Sequence, residues 1–140
     1  MSFSWILGED LTLDLGTSNT LIYSKRKDGK IIEPSVVAVD LNNYEIVAVG
    51  EKAKSMEGKT PDNIITLAPI KGGKIINFEI AQVMLTNLLK KAKSSFSVFH
   101  PKVYIAISSG ISEVDRRAIE DCVIYSGARS VEFIPSAVAS

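Results

Sequence analysis

Residues 14–20 read Asp-Leu-Gly-Thr-Ser-Asn-Thr and combine the residue types that recognise phosphate and magnesium. A tight turn of glycine and small hydroxyl residues presents successive backbone N–H groups outward, which makes a concavity that binds anions. Gly16 allows the backbone to approach a phosphate closely, and Asp14 is suited to hold Mg²⁺ through its water shell. The side-chain donors of the turn are Thr17, Ser18 and Asn19. The alternative is a plain β-turn, in which the same residue types are ordinary.

Strands on both sides must position this turn. Leu11, Leu13 and Leu15 alternate with polar residues, and residues 20–24 are rich in β-forming types, so a β-hairpin is predicted. The charged stretch 25–30 is typical of a further turn. Strands predicted at 35–39, entered from a proline, and at 45–49 complete an antiparallel meander.

The second half alternates helices and strands. An apolar stripe predicts an amphipathic helix over 79–93, and the run 102–107 predicts a buried strand. Ser112 begins a capping-box pattern whose helix ends at Gly127, and another strand starts at 131–134. Together with the hairpin, this order predicts an α/β lobe whose sheet is antiparallel first and parallel later.

Composition excludes several classes of protein. The chain has 140 residues with 16 basic and 16 acidic side chains, so a free-standing nucleic-acid binder is not expected. No apolar run approaches the length of a membrane span. The single cysteine, Cys122, precludes an intramolecular disulfide, and its helical spacing with apolar residues predicts a core position. The single histidine, His100, has no acidic partner near it in sequence and is not expected to be catalytic.

Several segments resemble the MreB-like bacterial actins of the actin/Hsp70/sugar-kinase superfamily. The segment at 14–23 resembles the first phosphate loop of that superfamily, and further pieces follow in the family's order as far as about residue 134. They are residues 33–38, 49–53, 58–64, 69–75, 114–119 and 127–129.

The resemblance implies an actin-like (ribonuclease H-like) lobe with a mixed sheet, antiparallel hairpin strands, flanking helices and a small inserted subdomain. Its core would comprise 10–50 and 76–140, with the subdomain at 51–75, an N-terminal tail at 1–9 and the family's second lobe absent. It implies ATP and Mg²⁺ as cofactors. Gly16, Thr17, Ser18 and Asn19 match the segment that wraps the phosphates, and Asp14 matches the aspartate on the metal side.

The resemblance also implies contact with the inner face of the cell membrane. Phe96, Val98 and Phe99 fall at the position of the family's apolar membrane loop, after Lys90, Lys91 and Lys93. Aromatic rings beside ammonium groups suit an anionic lipid surface, and Trp5 is a second candidate contact. The alternatives are that the phenylalanines pack onto the core and that the N-terminal segment is an ordinary tail.

The sequence departs from the family pattern in three places. It lacks the second phosphate loop and the adenine pocket, which the family carries on its second lobe. No glutamate takes the place of the family's water-positioning residue, because the segment 133–137 reads Phe-Ile-Pro-Ser-Ala and Glu132 is out of register. Ile-Ser-Ser-Gly at 107–110 replaces a more apolar turn, without a partnered base for a serine nucleophile. Hydrolysis of ATP by this chain is therefore not expected.

The function implied by the resemblance is cytoskeletal. The chain would be part of an ATP-dependent filament that self-associates, lies in the cytoplasm at the membrane, and organises cell-wall synthesis with the elongation machinery in cell-shape determination. Two alternatives stay open at this point. One is a truncated lobe that caps or modulates filaments of full-length relatives, and the other is a sugar kinase or Hsp70-type ATPase of the same superfamily.

Overall fold

A computed structural model of the chain describes residues 10–24, 29–92 and 100–136. Ten strands and three helices occur in this part of the chain. The strands are β1 (Asp10–Leu15), β2 (Asn19–Ser24), β3 (Gly29–Pro34), β4 (Val37–Asp40), β5 (Glu45–Val49), β6 (Ile64–Leu67), β7 (Ile70–Lys71), β8 (Lys74–Ile75), β9 (Lys102–Ile107) and β10 (Ser130–Pro135). The helices are α1 (Glu51–Ser55), α2 (Phe78–Ala92) and α3 (Glu113–Tyr125).

The main sheet has five strands in the order β10-β9-β1-β2-β3. β1 and β2 form the predicted antiparallel hairpin, with Leu13 opposite Ile22. β9 runs parallel to both β1 and β10. Parallel neighbours need a crossover connection, and here helix α2 precedes β9 while helix α3 connects β9 to β10. The mixed sheet predicted from the sequence is therefore confirmed, with its antiparallel half first along the chain.

The helices α2 and α3 cover one face of this sheet. The residues of β1 and β9 that face them are Leu11, Leu13, Val103 and Ile105, and all four are fully buried. Helix α2 contributes Met84, Leu85, Leu88 and Leu89, and α3 contributes Ile119, Cys122 and Val123. The amphipathic pattern thus placed α2 correctly, except that Val83 of the predicted stripe is 42% exposed.

A smaller sheet with the order β5-β4-β6 holds the strands that were expected to extend the meander. β4 and β5 pair antiparallel as predicted, but they do not join the hairpin. The strand next to β2 is β3, which occupies residues that were assigned in part to a turn. The meander prediction was wrong because the chain leaves the main sheet at Ser35, whose backbone N–H bonds Ser18 O in the hairpin turn.

The predicted inserted unit at 51–75 contains α1, β6 and the short β7–β8 hairpin. Its β6 pairs with β4, which precedes residue 51, so strands from both sides of that boundary share one sheet. The boundaries of the units themselves stay a prediction.

Helix α3 begins and packs as its sequence predicts. The Ser112 hydroxyl accepts a hydrogen bond from Asp115 N at 3.1 Å, which caps the helix. Cys122 is fully buried, and this burial raises the pKa of its thiol to about 11, against a smaller lowering by a hydrogen bond with Ser126. Among the described helices, none is long and apolar enough to cross a membrane.

Candidate functional site

A cleft of about 620 Å³ opens at the carboxyl ends of β1 and β9. Its walls come from four parts of the chain: the end of β1 with its turn, the end of β9 with the loop into α3 and the start of that helix, the β7–β8 hairpin, and Ser136 after β10. The polar and small residues that line it include Asp14, Gly16, Thr17, Gly72, Gly73, Ser108, Gly110, Ser112, Asp115 and Ser136. Its volume lies in the range of about 300–1,000 Å³ that is usual for ligand pockets.

The turn between β1 and β2 is closed by a hydrogen bond from Gly16 N to Asn19 O at 3.0 Å. A Cβ atom at Gly16 would lie 2.5 Å from that same carbonyl oxygen, so only glycine fits this turn. Thr17, Ser18 and Asn19 are exposed. Within the described residues, the backbone N–H groups of Thr17 and Ser18 form no hydrogen bond. The turn therefore has free donors at the mouth of the cleft, as an anion site requires.

Asp14 is a half-buried residue near the end of β1, between Leu21 on β2 and Ala106 on β9. In the part of the chain that the structure describes, its carboxylate makes no hydrogen bond or ion pair. The same residues contain no group of three or more side chains of the kind that cage a metal ion. One free carboxylate beside a turn with unbonded N–H groups nevertheless fits Mg²⁺, which keeps most of its waters and takes few protein ligands.

The structure brings together only part of the predicted site. Asp14, Gly16 and Thr17 line the main cleft, whereas Ser18 faces a second cavity of about 570 Å³ toward the small sheet. Asn19 contributes its carbonyl to the turn and lines neither cavity. The roles of these residues in binding stay predictions. The membrane candidates Trp5, Phe96, Val98 and Phe99 lie outside the described residues.

The β7–β8 hairpin contributes to the site in a way that sequence reasoning missed. Gly72 N donates to the Thr17 hydroxyl at 3.0 Å, which joins the hairpin to the glycine turn between β1 and β2 across the cleft. Gly72 and Gly73 both have positive φ, 57° and 78°, as the tight reversal between the two short strands requires. The segment 69–75 was noted only for its resemblance to the family, and nothing local indicates which distant element such a turn will contact.

A buried carboxylate links the main sheet to the small one. Glu33 on β3 is 8% exposed and accepts hydrogen bonds from Glu51 N, at the start of α1, and from the Lys91 ammonium group on α2. The backbone of Gly50 passes so close that a Cβ there would lie 2.6 Å from Glu33 Oε2. A single glutamate thus holds three elements, and its sequence neighbours carry no signal of this role.

The cleft contains no glutamate within the described residues that line it. Glu132 instead forms an ion pair with Lys102 at 3.1 Å, and this partner raises the pKa of the Lys102 ammonium group. Ser108 lies at the cleft, where its hydroxyl accepts from Gly110 N at 3.2 Å. The acidic groups of the cleft are therefore Asp14 and Asp115.

Solved structures with the same arrangement identify the class of protein. The chain is similar to MreB5 of Spiroplasma citri bound to ADP, with a TM-score of 0.80 and 29% sequence identity over 91% of this chain and 38% of that one. The same protein bound to AMPPNP matches with a TM-score of 0.80 and 30% identity. The mixed sheet and this likeness of fold thus define an actin-like protein.

The family follows from the sequence comparisons. Residues 8–140 match the family model described as MreB/Mbl protein, and the chain belongs to the MreB/Mbl family. It is 41% identical over 128 residues to the cell shape-determining protein Mbl of Bacillus cereus, covering 90% of this chain and 38% of that protein. It is 39% identical over 140 residues to the cell shape-determining protein MreB of Haemophilus influenzae, covering 96% of this chain and 40% of that protein. The chain spans about two fifths of the length of these curated relatives.

Proposed function

We propose that this chain binds the phosphates of ATP together with Mg²⁺, as part of an MreB-like cytoskeletal protein that forms membrane-associated filaments. The observation that carries the proposal is the glycine turn at the mouth of the cleft, whose N–H groups at Thr17 and Ser18, like the carboxylate of Asp14 beside them, have no partner among the described residues. MreB5 of Spiroplasma citri, which has a similar fold, has been solved bound to ADP and to AMPPNP. The family assignment favours this function over that of a sugar kinase or an Hsp70-type chaperone.

The chemistry of the site supports phosphate binding. Backbone N–H groups of the turn would donate to phosphate oxygens, and the hydroxyls of Thr17 and Ser18 would add donors. Asp14 would hold Mg²⁺ through its waters, and the ion would neutralise part of the phosphate charge. The cleft offers no glutamate in the described residues to orient an attacking water.

Titration of Mg·ATP into the purified chain tests this proposal. The wild-type chain is expected to bind saturably, and Asp14→Asn is expected to weaken binding about tenfold, the equivalent of about 1.4 kcal/mol, because the metal loses its charged anchor. Isothermal calorimetry measures both affinities. Asp121→Asn on the exposed side of α3 is the matched control and should bind like the wild type. No binding by a folded wild-type chain would contradict the proposal.

Membrane association, at the cytoplasmic side, is the second part of the proposal. Its support is the sequence of residues 96–99, where Phe96, Val98 and Phe99 follow a lysine cluster, with Trp5 as a further contact. Self-association into filaments and contact with the cell-wall elongation machinery belong to the same proposal. They are supported by the similarity to relatives named cell shape-determining proteins.

Sedimentation with vesicles tests the membrane contact. The chain should pellet with vesicles that contain anionic lipid, and Phe96→Ser with Phe99→Ser should abolish most of this binding, because the inserted apolar area is lost. Tyr44→Ser removes another aromatic ring, one that is 80% exposed in the turn between β4 and β5, and should pellet like the wild type. If the double variant still pellets fully, the segment is not the anchor.

A further inference from the structure

We propose that Ser35 is a positioning residue for the phosphate turn: it holds the turn's carbonyl groups inward, so that the N–H groups face the ligand. The inference rests on the proposed phosphate-binding function and assigns the residue that prepares the turn for it. Ser35 follows β3 and is 2% exposed; it does not line the cleft that contains Asp14, but it borders the second cavity together with Thr17 and Ser18. An effect of Ser35 on binding in the cleft is therefore expected to act through the turn.

Ser35 bonds two of the turn's carbonyl oxygens at once. Its hydroxyl donates to Gly16 O at 2.9 Å, and its backbone N–H donates to Ser18 O at 2.8 Å. The third carbonyl that is held inside the turn, Asn19 O, accepts from Gly16 N. A residue 19 positions away in sequence from Gly16 thus fixes the orientation of two peptide groups.

The protons of the buried hydroxyls can be assigned. A serine hydroxyl has one proton, and that of Ser35 is used on Gly16 O, so the Thr20 hydroxyl donates to Ser35 Oγ across their 2.8 Å contact. Thr20 is 1% exposed, so neither hydroxyl exchanges this partner for water. Each hydroxyl therefore donates to the next group, Thr20 to Ser35 and Ser35 to Gly16 O. This series of hydrogen bonds holds the turn in one geometry.

When a carbonyl group of the turn points inward, the N–H group of the next residue points outward. In a trans peptide the C=O of one residue and the N–H of the next point in opposite directions, and the described residues contain no cis peptide. Holding Gly16 C=O toward Ser35 therefore turns Thr17 N–H away from it. Holding Ser18 C=O toward Ser35 fixes the peptide group between Ser18 and Asn19 at the other end of the turn. Donors oriented in advance bind an anion without paying for reorganisation of the turn.

The test compares Ser35→Ala with Ser126→Ala in the whole chain. Ser126 is a matched control, since it is 5% exposed and its hydroxyl contacts Cys122 O and Gln82 O at the end of α3, away from the cleft. Both variants lose a buried hydroxyl, so similar losses of thermal stability are expected. Only Ser35→Ala should weaken Mg·ATP binding, by about tenfold, because Gly16 C=O is released.

Two further measurements separate positioning from a general structural role. In the nucleotide-free chain, Ser35→Ala should shift the amide NMR resonances of Thr17 and Asn19 and leave that of Ile105 in place. Thr20→Val keeps the bond from Ser35 to Gly16, and it should weaken binding less than Ser35→Ala.

The outcomes distinguish this inference from the proposed function. Unmoved turn resonances in Ser35→Ala would overturn it whether or not ATP binds. Shifted resonances with unchanged affinity, or an equal loss of affinity in Thr20→Val, would overturn it as well. A wild-type chain that fails to bind Mg·ATP would overturn the proposed function and the ligand part of this inference, while the apo resonances would still decide whether Ser35 sets the turn.

Discussion

Replacing Gly16 by alanine is expected to weaken Mg·ATP binding about a hundredfold or more while the chain stays folded. The new Cβ would lie 2.5 Å from Asn19 O, a distance that real Cβ contacts do not reach. The obstacle is a backbone atom inside a tight turn, so no side chain can rotate away. The turn must open, which breaks the bond from Gly16 N to Asn19 O and redirects the N–H groups that follow. Calorimetric titration and a circular dichroism spectrum measure the two effects.

Gly110→Ala is the control for this prediction. Gly110 lines the same cleft, but a Cβ there would meet only Ser108 Oγ, at 3.8 Å, which is ordinary van der Waals contact. This variant adds the same methyl group at the same site and should bind close to the wild type. If both variants bind alike, the geometry of the glycine turn is not what the ligand recognises.

Replacing Gly50 by alanine is expected to lower the free energy of unfolding by about 3 kcal/mol. Two penalties combine. The φ of +67° disfavours any residue with a Cβ, and the Cβ would lie 2.6 Å from Glu33 Oε2. That carboxylate is buried and accepts from Glu51 N at 3.0 Å, so moving it leaves a charge without its hydrogen bond. The Lys91 side chain is half exposed, and its ion pair with Glu33 contributes little to the sum.

Gly58→Ala is a comparison variant that has a positive φ and no clash. Gly58 has a similar φ of +73°, but nothing lies within 4 Å of its Cβ position, so the variant should lose only about 1 kcal/mol. Urea unfolding of both variants gives the comparison. The double variant Gly50→Ala with Glu33→Ala has no clash. Its free energy of unfolding should therefore lie below that of Glu33→Ala by the backbone penalty alone. Equal losses in the two glycine variants would mean that the carboxylate moves without cost.

Local patterns in the sequence were sufficient for most of the elements. The alternation around Leu13 predicted the hairpin, and the apolar stripe at 79–93 predicted the helix found at Phe78–Ala92. Ser112 was recognisable as a helix cap because a cap depends on residues within one turn. Such features involve contacts between near neighbours, and residue types at short spacing carry that information.

Local residue patterns did not predict strand β3. The charged stretch 25–30 was interpreted as a turn, yet Gly29–Pro34 pairs with β2 along its whole length. Glu33 would be a poor choice for a buried strand position, but Lys91 meets it from 58 residues away. The destination of the next strand was missed for the same reason, since β4 pairs with β5 and β6 rather than with the hairpin.

The sequence by itself determined that residues 14–20 form a glycine turn after a buried strand, with an aspartate beside it. This was readable because the strand, the turn and the aspartate are neighbours along the chain. Only the tertiary structure decided which groups complete the site: Ser35 beneath the turn, Gly72 across the cleft and Asp115 on its far wall. These residues approach the turn through sheet pairing and helix packing. The free energy of those contacts is shared among many residues, and no short pattern records it.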